Sequence, residues 1–215
     1  MNWPRVRKLA LLPRQGSGFS LIEVLVTIVI VVIGLLGWAG LQSKASVVQM
    51  EAYQRAQGLA LMRDMQDRIM SARGLLDVAT GSPPVVTTPG FQSFAASDGS
   101  IVFGTGDSYT DCATVPNPAE SQLCLWGQAL KGAAESSAGS QVGAMIGARG
   151  CIINVSPPTD FALADFFIVV VWQGLTPTAD PDAGTPAALC ASGVNFGTGL
   201  RRAVVTRVMI PKLVG

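Results

Sequence analysis

The chain has 215 residues, 49% hydrophobic and only 13% charged, and its formal net charge of +1 hides a split. Arg5, Arg7, Lys8 and Arg14 stand ahead of Phe19 with no acid among them, which leaves 11 basic against 14 acidic residues elsewhere, a net of −3. A mildly acidic body lacks the basic face of a nucleic-acid binder, and the absence of histidine excludes His-based triads, His general bases and His metal ligands.

The first element follows the cationic start. Residues 24–43 are 20 residues without a charge, about 30 Å of helix at about 1.5 Å per residue, the thickness of a bilayer core. Val and Ile dominate the run, which is ambiguous between helix and strand in water. In lipid the backbone must satisfy its own hydrogen bonds, so helix is expected. The cations before the run put the N-terminus in the cytoplasm and the rest of the chain outside. A secretory signal fits poorly. Its apolar core is about 7–15 residues with a small-residue cleavage site behind it, whereas only Ser43-Lys44-Ala45 stands there. A plain signal anchor leaves Glu23 unexplained, since an unpaired carboxylate in low dielectric costs at least about 2.5 kcal/mol.

The junction Gly18, Phe19, Ser20, Leu21, Ile22, Glu23 resembles the type III signal of the type IV pilins and pseudopilins: Gly, then Phe, then Glu four residues on, opening an apolar helix. The resemblance implies that a membrane prepilin peptidase cleaves between Gly18 and Phe19. It also implies that the new Phe19 amine is methylated and that the helix is retained. It gives Glu23 a partner, the cationic amine of its own or a neighbouring helix, so a docked helix is favoured over a lone one.

Gly34, Gly37 and Gly40 recur every three residues, each costing about 1 kcal/mol of helix propensity relative to Ala. They fit close helix packing in the membrane and equally a point where the helix unwinds in a fibre. Beyond the run, Leu59, Met62, Met65, Ile69 and Ala72 make one apolar face at helical spacing. Glu51–Arg55, Arg63–Asp67 and Asp64–Arg68 are i,i+4 pairs for the wetter side. No proline falls between Pro13 and Pro83, so one helix from about Phe19 to Arg73 is expected.

Residues 80–90, "TGSPPVVTTPG", break the helix and open a head rich in Pro and Gly. Strands are expected at 100–103, 150–155, 166–172 and 202–210, and a short helix at 120–131. Loops are expected at 105–118, 135–143 and 176–199. "FFIVVVWQG" at 166–174 is the most apolar strand, hence central or tucked under the helix, with Trp172 a packing residue. Four cysteines without CxxC spacing, Cys112, Cys124, Cys151 and Cys190, read as two disulfides in an oxidising compartment. Three pairings exist. The sequential one, Cys112–Cys124 with Cys151–Cys190, is favoured, and four reduced buried thiols are the alternative. Each bridge would restrain a loop and contribute about 2–4 kcal/mol. "GTGD" at 104–107 and "GTGLRR" at 197–202 lack the strand-then-helix setting of a phosphate-binding loop. No cofactor is called for, no metal site can be read, and any calcium site would have to be formed by the fold.

"AYQRAQGLALMRDMQDRI" at 52–69 resembles a recurring segment of the minor pilin family PilV, the type IV pilus modification proteins. The matching residues are Ala52, Tyr53, Arg55, Asp64, Met65 and Arg68. The Val-Trp-Gln ending of 166–174 and Arg201-Arg202 resemble later parts of that family, although two arginines there also suit a solvated strand end. The resemblance implies an α+β pilin fold: a cleaved leader (1–18), a transmembrane and assembly half of a helix (19–42), its amphipathic half (43–73) and a periplasmic β-rich head (74–215). It implies a non-enzymatic minor pilin of the inner membrane and pilus fibre, joining other minor pilins and the major pilin and priming the pilus at its tip. A minor pseudopilin of a type II secretion system, a tip adhesin and, more remotely, a membrane-anchored enzyme are the other readings.

Overall fold

The computed structural model describes residues 18–76, 78–80, 85–132, 136–137, 140–141, 145–155 and 163–211. The expected leader, apart from Gly18, and most of the loop expected at 135–143 lie outside the described residues. The chain divides into two compact units, Met1–Ser46 and Val47–Gly215.

The first unit holds the start of helix α1 (Leu21–Ser71). Every large apolar side chain from Leu21 to Leu41 is exposed. By length and composition α1 is the one helix among the described residues that is apolar enough to cross a membrane.

In the second unit the same helix turns amphipathic. Gln54, Gly58, Met62, Met65 and Ile69 are buried, a stripe at spacings of four, four, three and four, as one helical face requires. Leu59 and Ala72 are partly buried beside it, so the apolar face expected from spacing is present. The helix ends at Ser71, and a 3-10 turn, Arg73–Leu75, follows. Strands β1 (Val78–Thr80) and β2 (Val85–Thr88) then form a short antiparallel hairpin. The Pro-rich segment was expected to break the helix, and the strand pair around it was not foreseen.

Next come a 3-10 turn, Phe91–Phe94, strand β3 (Phe103–Gly104) and a second 3-10 turn, Cys112–Thr114. Helix α2 (Pro118–Leu130) starts where its residues dictate. The Asn117 side chain accepts hydrogen bonds from the Ala119 and Glu120 N–H groups at 2.8 and 3.1 Å, with Pro118 in the first turn. The two-residue strands β4 (Ser136–Ser137) and β5 (Ser140–Gln141) pair with each other. Strands β6 (Ile146–Asn154) and β7 (Leu163–Gln173), the short helix α3 (Pro186–Leu189) and strand β8 (Arg201–Pro211) complete the order.

The main sheet is antiparallel with the order β3-β6-β7-β8. The most apolar strand, β7, is interior, as its composition predicts. The strand expected at 100–103 is reduced to Phe103–Gly104. Asp98 accepts a hydrogen bond from the Ser100 N–H at 3.0 Å and holds that stretch in a turn. Strand β6 begins four residues earlier than expected, through a register shift between Ile146 and Arg149.

Each face of the sheet carries an apolar cluster. On one, Phe166, Ile168, Val170 and Trp172 of β7 and Val204, Val208 and Ile210 of β8 join Met62, Met65 and Ile69 of α1 and Leu123, Trp126 and Leu130 of α2. On the other, Cys151, Ile153, Val169 and Val171 pack with Cys190, Ala191 and Phe196. The long helix packed on a small antiparallel sheet is an α+β, pilin-like layout.

Two glycines set the spacing of these layers. A Cβ at Gly58 would lie 2.9 Å from the Trp172 ring, so α1 approaches β7 closely there. A Cβ at Gly150 would lie 2.1 Å from the ring of Trp126, which is fully buried and donates its indole N–H to the Leu61 carbonyl at 2.9 Å. Trp126 has no room to retreat without giving up that bond. Gly150→Ala is therefore expected to destabilise the second unit by about 3 kcal/mol, the upper range for overpacking. Urea denaturation followed by tryptophan fluorescence measures it, and a change under about 1 kcal/mol would contradict the close approach.

Candidate functional site

The junction residues singled out in the sequence lie together at the start of α1. Gly18, Phe19 and Ser20 precede the helix and are exposed. The Ser20 carbonyl accepts from the Glu23 and Val24 N–H groups at 3.0 and 3.3 Å, which starts the helical ladder. Glu23 falls in the first turn, where the positive end of the helix dipole favours a carboxylate by about 0.3–1 kcal/mol. Phe19 is 85% exposed. A Cβ at Gly18 would meet nothing within 4 Å, so packing makes no demand for glycine at that position. Gly34, Gly37 and Gly40 are equally open.

In the second unit the polar chemistry serves to tie loops down. The Oε1 atom of Glu51 accepts from the backbone N–H groups of Leu175 and Thr176 (3.0 and 2.9 Å), the Thr176 hydroxyl (2.8 Å) and the Arg202 guanidinium (3.2 Å). Those bonds, the Thr176 N–H foremost, hold its carboxyl below the usual carboxylate range. Arg202 also donates to the carbonyls of Thr176 and Gly199. This corrects the expected Glu51–Arg55 pair: among the described residues the ion pair of Glu51 is with Arg202. No ion pair joins Arg63 to Asp67 among them either, whereas Arg68 and Asp64 pair at 2.8 Å as expected.

Arg201 is likewise no solvated strand end. Its guanidinium donates to the carbonyls of Cys190, Ala191 and Val194 at 2.7, 2.9 and 3.2 Å and lies 4.8 Å from the centre of the Phe196 ring. It gathers the turn after α3, where Ala191 has φ 54°. "GTGD" proves to be a closed turn. The carboxylate of Asp107, whose side chain is 2% exposed, accepts from the N–H groups of Gly104 (2.7 Å) and Tyr109 (3.1 Å) and pairs with Lys131. Burial, with the Glu120 carboxylate that accepts the phenol proton at 2.7 Å, pushes Tyr109 up to about 12. Sequence reasoning missed the loop-anchoring roles of Glu51, Asp107, Arg201 and Arg202. Their signals were a glycine-flanked acid and paired arginines at a strand start, but their partners lie far along the chain.

The four cysteines form Cys112–Cys124 and Cys151–Cys190, the sequential pairing, with Cα–Cα separations of 5.5 and 5.6 Å. The first joins a 3-10 turn to α2, and the second joins β6 to the residue after α3. Among the described residues, no group of three or more Cys, Asp or Glu side chains is placed to hold a metal ion.

Residues 14–39 match the family model of the prokaryotic N-terminal methylation motif. The match contains Gly18, Phe19 and Glu23 and most of the apolar run. No curated protein and no solved structure matches the chain. The motif supports a type IV pilin-like protein, pilin or pseudopilin, with structural rather than catalytic work, membrane anchoring and incorporation into a pilus.

Two outcomes test the ties in the head. Glu51 has its native pKa lowered, so its stabilisation is present above the unfolded carboxylate value and lost as pH falls through the native one. Glu51→Gln is expected to cost about 1–2 kcal/mol at neutral pH. The gap to the parent should close in acid, read by urea denaturation across pH; a pH-independent gap would contradict the charge's role. Lys131→Met leaves the buried Asp107 carboxylate uncompensated and is expected to cost about 3–5 kcal/mol, measured in the same way.

Proposed function

We propose that this chain is a minor pilin of the PilV kind. In this reading it joins other minor pilins and the major pilin in a complex that primes the type IV pilus, at its tip. The observation that carries it is the methylation motif at 14–39, running into a helix whose apolar side chains from Leu21 to Leu41 are all exposed. A surface of that extent without protein cover belongs in lipid or against other helices.

Prepilin peptidase cuts between Gly18 and Phe19 on the cytoplasmic side of the inner membrane, and the Phe19 amine is then methylated. Gly18 suits a site read from outside, because the chain's own packing makes no use of its missing Cβ. The cut leaves a cationic amine four residues before Glu23. In a low dielectric that charge pair is worth forming with the helix's own amine or a neighbour's, so Glu23 sets the register of docking. The head, periplasmic in this reading, selects the partner. A first subunit docks without a fibre beneath it, which suits a low-copy starter whose head is held rigid by two disulfides.

The test is made in cells. Glu23→Ala should be processed to the mature size yet fall at least about tenfold in the sheared pilus fraction. Gly18→Ala should stay at precursor size on a gel. Normal recovery of Glu23→Ala in fibres would sink the docking role, and normal processing of Gly18→Ala would sink the cleavage site. Co-purification with secretion-system subunits in place of pilus subunits would make the chain a pseudopilin.

A further inference from the structure

Strand β8 is an edge of the main sheet, and among the described residues no strand pairs with its outer side; only at its start is an outward group engaged, where the Arg201 N–H donates to Asp180 at 3.3 Å. It is paired with β7 along its whole length, Arg201 to Pro211, so its outer edge is regular. The opposite edge is covered by β3, only two residues long. The phase of the free groups follows from one bond. The Gly174 N–H donates to the Leu200 carbonyl, so even-numbered residues of β8 face β7 and odd-numbered ones turn their N–H and C=O groups outward. The outward set is Ala203, Val205, Arg207 and Met209. Val205 and Met209 are also exposed side chains, 39% and 59%. Proteins blunt such edges with charge, but Arg207, the charge within this stretch, is turned back onto Asp165 of β7 and the Phe167 ring.

At the start of β8 the edge opens into a cleft of about 280 Å³ against α1, whose lining includes Glu51, Gln54, Arg55, Trp172, Arg202 and Ala203. Glu51, the acid that spacing assigns to Arg55, is engaged by Leu175, Thr176 and Arg202. Arg55 has no ion pair among the described residues and is exposed. Charge selects the occupant. β8 holds three arginines and no acid, so a second copy of β8 has no acid to set against Arg55. An extended segment of another protein, apolar on one face and ending in an acid, meets both the free backbone and Arg55.

We infer that the outer edge of β8 is a docking site for an acidic, extended strand of a different protein, which adds to the sheet by main-chain hydrogen bonds with its acid at Arg55. The inference rests on the second unit alone and is independent of the pilin reading.

The test uses the full chain in detergent micelles and two fluorescein-labelled eight-residue peptides of alternating Thr and Val, one with Asp at both ends and one with Lys. The Asp peptide should bind saturably, at least about tenfold tighter than the Lys peptide, and protect the amides of Ala203, Val205, Arg207 and Met209 from exchange. Arg55→Glu should reverse the preference. Val205→Pro removes one outward N–H and no bond to β7, and it should abolish binding. Val205→Lys should do the same at an exposed position if the proline variant melts early. Leu125→Lys, at an exposed position of α2, should change nothing. Absence of binding, equal binding of both peptides, or binding indifferent to both Val205 variants would overturn the site. A doubled mass lost in Val205→Lys would overturn the choice of occupant in favour of a second copy.

Discussion

The contact between Trp126 and Gly150 is the point on which the second unit turns. The indole fills the space a side chain would take on β6, stands 6.4 Å from the Phe103 ring and donates to the Leu61 carbonyl of α1. One side chain therefore fixes the distances among α1, α2 and the sheet. Around it the apolar face of α1 and the even-numbered residues of β7 and β8 complete one core. The disulfide at Cys151 anchors the second, smaller core on the other side of the sheet. Neither core could shift without breaking a bond that the other elements make with Trp126 or Cys151.

The charged groups are arranged by the same economy. A low charge content leaves few ions, and most of those in the head close a loop onto an element. Asp107 and Lys131 close the turn after β3, Glu51 and Arg202 close the β7 end onto α1, and Arg207 and Asp165 cross-link β7 and β8. Each carboxylate accepts more than one bond, which offsets the desolvation of a buried or partly buried charge. In the first unit the opposite holds. Past Glu23 the helix carries no charge to Ser43, and nothing in the unit itself covers its apolar surface.

Period and composition made much of this legible. The stripe Met62, Met65, Ile69 is written at helical spacing, and "FFIVVVWQ" is apolar enough to demand an interior strand. The short helix expected at 120–131 is present as α2, Pro118–Leu130. The junction at Gly18, Phe19 and Glu23 was legible because its residues are neighbours in the chain. What escaped depends on distance. Glu51 has a near arginine at the right spacing but finds better donors 124 and 125 residues away, since backbone N–H groups at a turn have no competing partner. Arg201 looked exposed because its acceptors are carbonyls, which leave no trace in side-chain pattern. The strands β1 and β2 are too short to show an alternation.

The pairing of Arg202 with Glu51 spans 151 residues, and this bears on the order in which the head is built. Strands β6, β7 and β8 follow one another and pair as neighbours, so their loops are comparatively cheap to close. The buried face of α1 shares its core with β7 and β8, the first of which begins 94 residues after Ile69. Met62, Met65 and Ile69 thus leave the ribosome long before the surface that covers them. Through that interval the helix is an amphipathic segment without its sheet, and the last-made strand decides when it is sheltered.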